Sequence, residues 1–121
     1  DVEIEHRGRG GIIHRYWQHQ IRDAFELAGW TAKIELFDAD VYVHMEDKEL
    51  AVEVAMGAND REVEHVKQRL ERGLDEIWVV CPNESVRNEL KQQIKDEGLP
   101  MEQIEFRRFR DFSDTKIFEE S

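Results

Sequence analysis

The chain has 121 residues, enough for one domain with its own core and too few for two. Apolar residues make up 40% and charged residues 37%, the composition of a folded chain rather than a disordered one. The formal charge of −11 opposes a nucleic-acid partner unless Lys and Arg are concentrated locally or charge is heavily screened, as in a high-salt cytoplasm.

No apolar run approaches the roughly 18 residues needed to cross a bilayer, and the N-terminus has no basic-then-apolar signal pattern. A cytoplasmic protein without membrane partners is therefore expected. Because the sequence opens on Asp1 rather than Met, an excised domain or processed chain is also expected. The one cysteine, Cys81, cannot form an internal disulfide and has no companions at metal-ligand spacing, which excludes a disulfide framework and a zinc site.

Residues 1–11 end in Arg7-Gly8-Arg9-Gly10-Gly11, a glycine-broken basic stretch that reads as a flexible lead-in. From Ile12 the apolar positions Ile13, Trp17, Ile21, Ala24, Phe25 and Ala28 follow helical spacing, and Gly29 supplies a stop. Two β-rich runs follow, Thr31 to Phe37 and Ala39 to Met45, and after Glu46-Asp47-Lys48 a third, Glu49 to Met56. The third is apolar on both faces apart from Glu53, as a central strand covered on both sides requires.

Asn59 and Glu62 then provide a capping box for a helix carrying Val63, Val66 and Leu70, stopped at Gly73. Glu76 to Cys81 reads as a fourth strand, parallel to the third. A helix with Val86, Leu90 and Ile94 on its inner face follows and ends before Gly98. The run from Ile104 to Phe112 alternates as an edge strand, and residues 113–121 form a tail. The expectation is a single α/β domain over residues 12–112 built around a mixed sheet.

Fold order names no function, so the chemistry must come from polar residues in places the fold would otherwise keep apolar. Glu53 is one. A carboxylate within a strand apolar on both sides costs several kcal/mol unless it is paired, protonated or bound to a cation. Asp40 opens the neighbouring strand and can face it, and Glu35 on the first strand can project to the same place. Clustered carboxylates suit a hard cation such as Mg²⁺ or Mn²⁺. The alternative is a structural ion pair with Arg22, His14 or Lys67.

The order helix–strand–strand–strand–helix–strand, with Asp40 at the start of the second strand and Glu53-Val54-Ala55 inside the third, resembles the PD-(D/E)XK phosphodiesterase superfamily of restriction endonucleases and archaeal Holliday-junction resolvases. That resemblance spans roughly Gly10 to Gly98. It implies a restriction endonuclease-like αβββαβ core in which Asp40 and Glu53 hold one or two divalent metals at a scissile phosphate. A lysine two positions after the Glu would orient or activate the attacking water, but Ala55 stands there. A displaced lysine could substitute, Lys67 on the second helix or Lys33 on the first strand. Gly10-Gly11-Ile12-Ile13-His14 is also similar to the Gly-Gly-x-x-His helix start of lysine-less members from conjugative and other mobile elements, which are often joined to motor ATPases.

The resemblance thus implies a divalent-metal-dependent DNA endonuclease-like domain of a mobile-element, conjugation or DNA-processing protein. In that reading Asp40, Glu53 and Glu35 are metal ligands, Lys67 is the relocated catalytic cation, and Arg7, Arg9, His14 and Arg15 face DNA. A fused or associated motor ATPase and a homodimer that pairs two active sites would be the partners. The alternative it leaves open is a catalytically inactive module of the same fold for DNA binding or protein docking. Arg107, Arg108 and Arg110 form a second cationic concentration, which can equally be an offset to surface carboxylates. Tyr16, Trp17 and Trp30 read as packing residues rather than base-stacking ones. Gly57-Ala58-Asn59-Asp60 is no phosphate-binding glycine loop, which argues against a Rossmann-like nucleotide site.

Overall fold

The structure, a computed structural model, describes residues 11–113. Most of the expected lead-in and tail, with Arg7 and Arg9, lies outside the described residues.

Helix α1 (Ile12–Leu27) buries His14, Gln18, Ile21, Ala24 and Phe25, a stripe that continues the i, i+4, i+7 spacing but is polar over its first two positions. It stops at Gly29, whose φ of +99° a residue with a side chain adopts only under strain. Strand β1 (Thr31–Ile34) is shorter than the expected run to Phe37. Glu35, Phe37 and Asp38 have φ of 54°, 56° and 66°, so the chain leaves extended geometry after Ile34 and turns in a loop.

Strand β2 (Val41–Met45) starts one residue after Asp40 and pairs antiparallel with both β1 and β3 (Lys48–Val54). Asn59 caps α2 (Asp60–Glu71) by accepting the Glu62 N–H at 3.1 Å. Asn83 caps α3 (Glu84–Asp96) in the same way through the Val86 N–H at 2.9 Å. Strand β4 (Glu76–Cys81) lies parallel to β3, as expected, and β5 (Ile104–Arg108) runs parallel to β4. The sheet order is β1-β2-β3-β4-β5.

The expected last strand ends at Arg108 rather than Phe112. Phe109–Phe112 forms a 3₁₀ turn, with the Asp111 carboxylate accepting the Arg108 N–H at 3.0 Å. The three-residue spacing of Phe109 and Phe112 matches that turn and puts both rings in the core.

Alternate strand residues divide the interior in two. Val41, Val43, Leu50, Val52, Val54 and Val80 pack with Ile21 and Phe25 of α1 and with Phe109 and Phe112. Ala51, Ala55, Ile77, Val79 and Cys81 pack on the other face with Val63 and Val66 of α2 and Leu90 and Ile94 of α3. Each large apolar side chain so buried contributes about 1.5–3 kcal/mol. The result is an α/β sandwich around a mixed five-stranded sheet.

Candidate functional site

The described residues bury five polar or charged side chains, His14, Gln18, Asp40, Glu53 and Arg69, and all five gather around the end of the β2–β3 pair. Asp40 closes the β1–β2 loop, where its carbonyl accepts the Glu35 N–H at 3.0 Å. Its Oδ2 accepts the N–H of Val54 at 2.7 Å, so the carboxylate takes the place of a strand partner where the ladder runs out. His14 Nε2 approaches the same oxygen at 3.4 Å from α1.

Left-handed backbone at non-glycine residues costs of order 1–3 kcal/mol each and persists only where the surroundings hold it. Gln18 supplies part of that hold. From inside α1 its amide nitrogen donates to the Asp40 carbonyl at 3.1 Å and to Glu35 Oε2 at 3.3 Å.

Glu53 lies on the other side of β3. Alternation with Val52 and Val54 turns it toward α2, between Ala51 and Ala55 on the same face. There Arg69 Nε donates to Glu53 Oε2 at 3.0 Å, with the two side chains 4% and 1% exposed. Desolvating both charges costs several kcal/mol each, recovered only by close hydrogen-bonded contact. Ala55 is fully buried, and its N–H goes to the Val80 carbonyl at 2.9 Å, so the position where the resemblance implies a lysine belongs to the core.

The remaining sequence candidates fall elsewhere. Lys67 and Lys33 are exposed on α2 and β1, and Arg15 is exposed on α1. Glu35 is exposed and joined to the buried group through Gln18. Arg22 pairs with its neighbour Asp23 at 2.9 Å. Arg107 pairs with Glu105 at 2.7 Å and lies over the Trp78 ring, and Arg108 lies 4.0 Å from Glu84. The second cationic concentration is thus largely matched by carboxylates. Trp17 stacks on Phe109 at 4.8 Å, in keeping with packing.

Among the described residues no three His, Cys, Asp or Glu side chains form a group that could hold a metal ion. The donors as arranged do not fit a divalent cation, because a guanidinium already lies against the Glu53 carboxylate and Asp40 is committed to a backbone N–H.

Sequence reasoning missed Arg69 and Gln18. The signal for each was periodic: Arg69 follows Val63 and Val66 at three-residue spacing on the apolar stripe of α2, and Gln18 follows His14 by four. A polar residue in a buried stripe marks a partner on the sheet below.

Tyr42 shares the α2 face, where its hydroxyl donates to Glu49 Oε2 at 2.6 Å. Burial, then the hydrogen bond to Glu49 and its charge, push the phenol up to about 12. Burial also pushes the Cys81 thiol up to about 12, with Glu62 adding to the rise and Arg87 opposing it.

Neither a family model, nor a curated protein, nor a solved structure matches the chain. Among the described residues no helix is long and apolar enough to cross a membrane. What the fold and site define is an α/β domain with two buried carboxylates at the end of one strand pair, one tied to backbone and one to an arginine.

Proposed function

We propose that the chain is a nuclease-fold module of the PD-(D/E)XK type that does not cut DNA itself and serves as a protein-docking domain of a larger DNA-processing protein. The observation that carries this reading is the buried pair between Glu53 and Arg69, which gives the motif glutamate a permanent counter-ion. The strand order and the placement of Asp40 beside Val54 support the ancestry. Docking to protein rather than DNA is favoured by the carboxylate partners of Arg22, Arg107 and Arg108 and by the exposed Ile12, Ile13 and Tyr16 at the start of α1.

A second reading is a Mg²⁺- or Mn²⁺-dependent DNA endonuclease with Asp40, Glu53 and Glu35 as ligands. It is favoured by one observation: Asp40 bonds the amide next to Glu53, so two buried carboxylates flank one strand end from its two sides. In that reading Arg7, Arg9 and Arg15 would face DNA, whereas His14, expected there too, is buried against Asp40, and a motor ATPase would be the fused or associated partner.

The two separate in a cleavage assay. Purified protein with Mn²⁺ or Mg²⁺ is incubated with linear, branched and single-stranded DNA beside Asp40→Ala and Glu53→Ala. The module reading expects no cutting above the variants. Cutting by the wild type that both substitutions abolish would replace it with the endonuclease reading.

A further inference from the structure

We propose that the outer edge of β5 is a self-association surface, to which a second copy of this chain adds its own β5 antiparallel across a two-fold axis at Phe106. The inference does not depend on the module reading. Nor is it the pairing of active sites that the resemblance implies, because the buried polar group lies at the end of the β2–β3 pair and β4 separates β3 from β5.

Among the described residues the sheet has two open edges, β1 and β5. An open edge offers its unpaired N–H and C=O groups to another strand. β1 is guarded against this. It is four residues long, carries the exposed Lys33, and gives way at Glu35 to left-handed backbone. Short edge strands and edge lysines both discourage strand addition.

β5 is closed only at its two ends. The Ile104 N–H goes to the Met101 carbonyl, and the Arg108 N–H goes to Asp111 Oδ2 at 3.0 Å. Neither amide is given to β4. By the alternation of a strand, Glu105 and Arg107 therefore carry the ladder to β4, and the Phe106 N–H and C=O point outward.

The side chains around that point complement themselves. Reversing the strand about Phe106 sets Glu105 opposite Arg107 of the second copy, twice, and Phe106 opposite its own equivalent. Glu105 and Arg107 share one face, where they pair at 2.7 Å with side chains 40% and 31% exposed. The two pairs close into a ring of alternating charge. On the other face Phe106, half-buried and packed on the α2–α3 core, covers its equivalent. One central pair of residues exchanging hydrogen bonds, set against a charge of −11 on each copy, makes the dimer weak and reversible.

The test is sedimentation velocity from about 10 µM to about 1 mM in about 0.2 M salt, which screens the net repulsion. The wild type should pass from monomer to dimer across that range. Glu105→Arg and Arg107→Glu each set like charges across the axis and should each weaken the dimer by about tenfold or more. Mixed in equal amounts, the two variants should dimerise with each other, because each strand then meets the opposite charge. Loss of the internal contact between Glu105 and Arg107 cannot produce that recovery. Hydrogen exchange gives a reading on the wild type alone: the Phe106 amide should slow with rising concentration, and the amides of β1 should not.

A wild type that stays monomeric, a dimer that neither substitution weakens, or weakened variants that fail to recombine would each overturn the proposal. If either variant does not fold, the exchange reading decides, and a Phe106 amide whose rate is independent of concentration overturns it.

Discussion

Arg69 Nε and Glu53 Oε2 stand 3.0 Å apart, joining α2 to β3 through the layer between helix and sheet. Removing one partner leaves the other charge buried without this contact. Glu53→Leu or Arg69→Met alone should cost about 3–5 kcal/mol in urea unfolding, while the pair together should lie near the wild type or above it. Two single losses that simply add in the double variant would contradict the coupling.

Asp40 holds the end of the β2–β3 ladder by accepting the Val54 N–H at 2.7 Å. Asp40→Ala should cost about 1–3 kcal/mol and speed hydrogen exchange at the Val54 amide more than at the Val52 amide inside the strand. Asp40→Asn keeps a carbonyl oxygen and should retain most of the protection. Equal exchange at Val54 in all three proteins would show that the bond does not hold the strand end.

Gln18 ties α1 to the strained β1–β2 loop through Glu35 and the Asp40 carbonyl. Gln18→Leu fills a similar volume but leaves the buried Asp40 carbonyl with the Glu35 N–H and without the Gln18 donor, at a cost of about 0.5–1.5 kcal/mol. Chemical-shift changes should concentrate over residues 35–40. Changes confined to α1 would remove the tie.

Tyr42 should ionise near 12 when followed by absorbance, against an ordinary 10.0, because burial and Glu49 both disfavour phenolate. The folded state holds this proton more tightly than the unfolded chain does. Its contribution to stability is therefore complete below pH 10 and lost as pH rises from about 10 to about 12. Tyr42→Phe should flatten the fall in stability over that window.

Cys81 should be inert to thiol reagents in the native protein at neutral pH, since its thiol is held up to about 12 at a fully buried strand end. Labelling should appear only with unfolding, at a rate set by the opening of the fold. Rapid native-state labelling would contradict the burial.

The three helices and the parallel β3–β4 pair were legible in the chain because each rests on local signals. The apolar stripes of α1 to α3, the caps Asn59 and Asn83, and the stops Gly29, Gly73 and Gly98 all lie within a few residues of what they control. The strand ends were less legible, and two of them were missed by three residues or more. Thr31 to Phe37 has strand composition throughout, yet Glu35, Phe37 and Asp38 turn left-handed where Gln18, distant in sequence, holds the loop. The run to Phe112 alternates as a strand should, yet beyond Arg108 the core takes Phe109 and Phe112 through a turn.

By itself the sequence determined that Glu53 had to be paired, protonated or bound to a cation, because a carboxylate in a strand apolar on both faces cannot stay charged alone. It also determined that Ala55 could not supply one. Which cation answers was decided only by tertiary structure. Arg22, His14, Lys67 and a metal were all compatible with the pattern, and the choice depended on which α2 residue the helix turns toward β3. Two residues along the helix, about 200° of rotation, separate Lys67 in solvent from Arg69 over the sheet, where its guanidinium reaches the carboxylate.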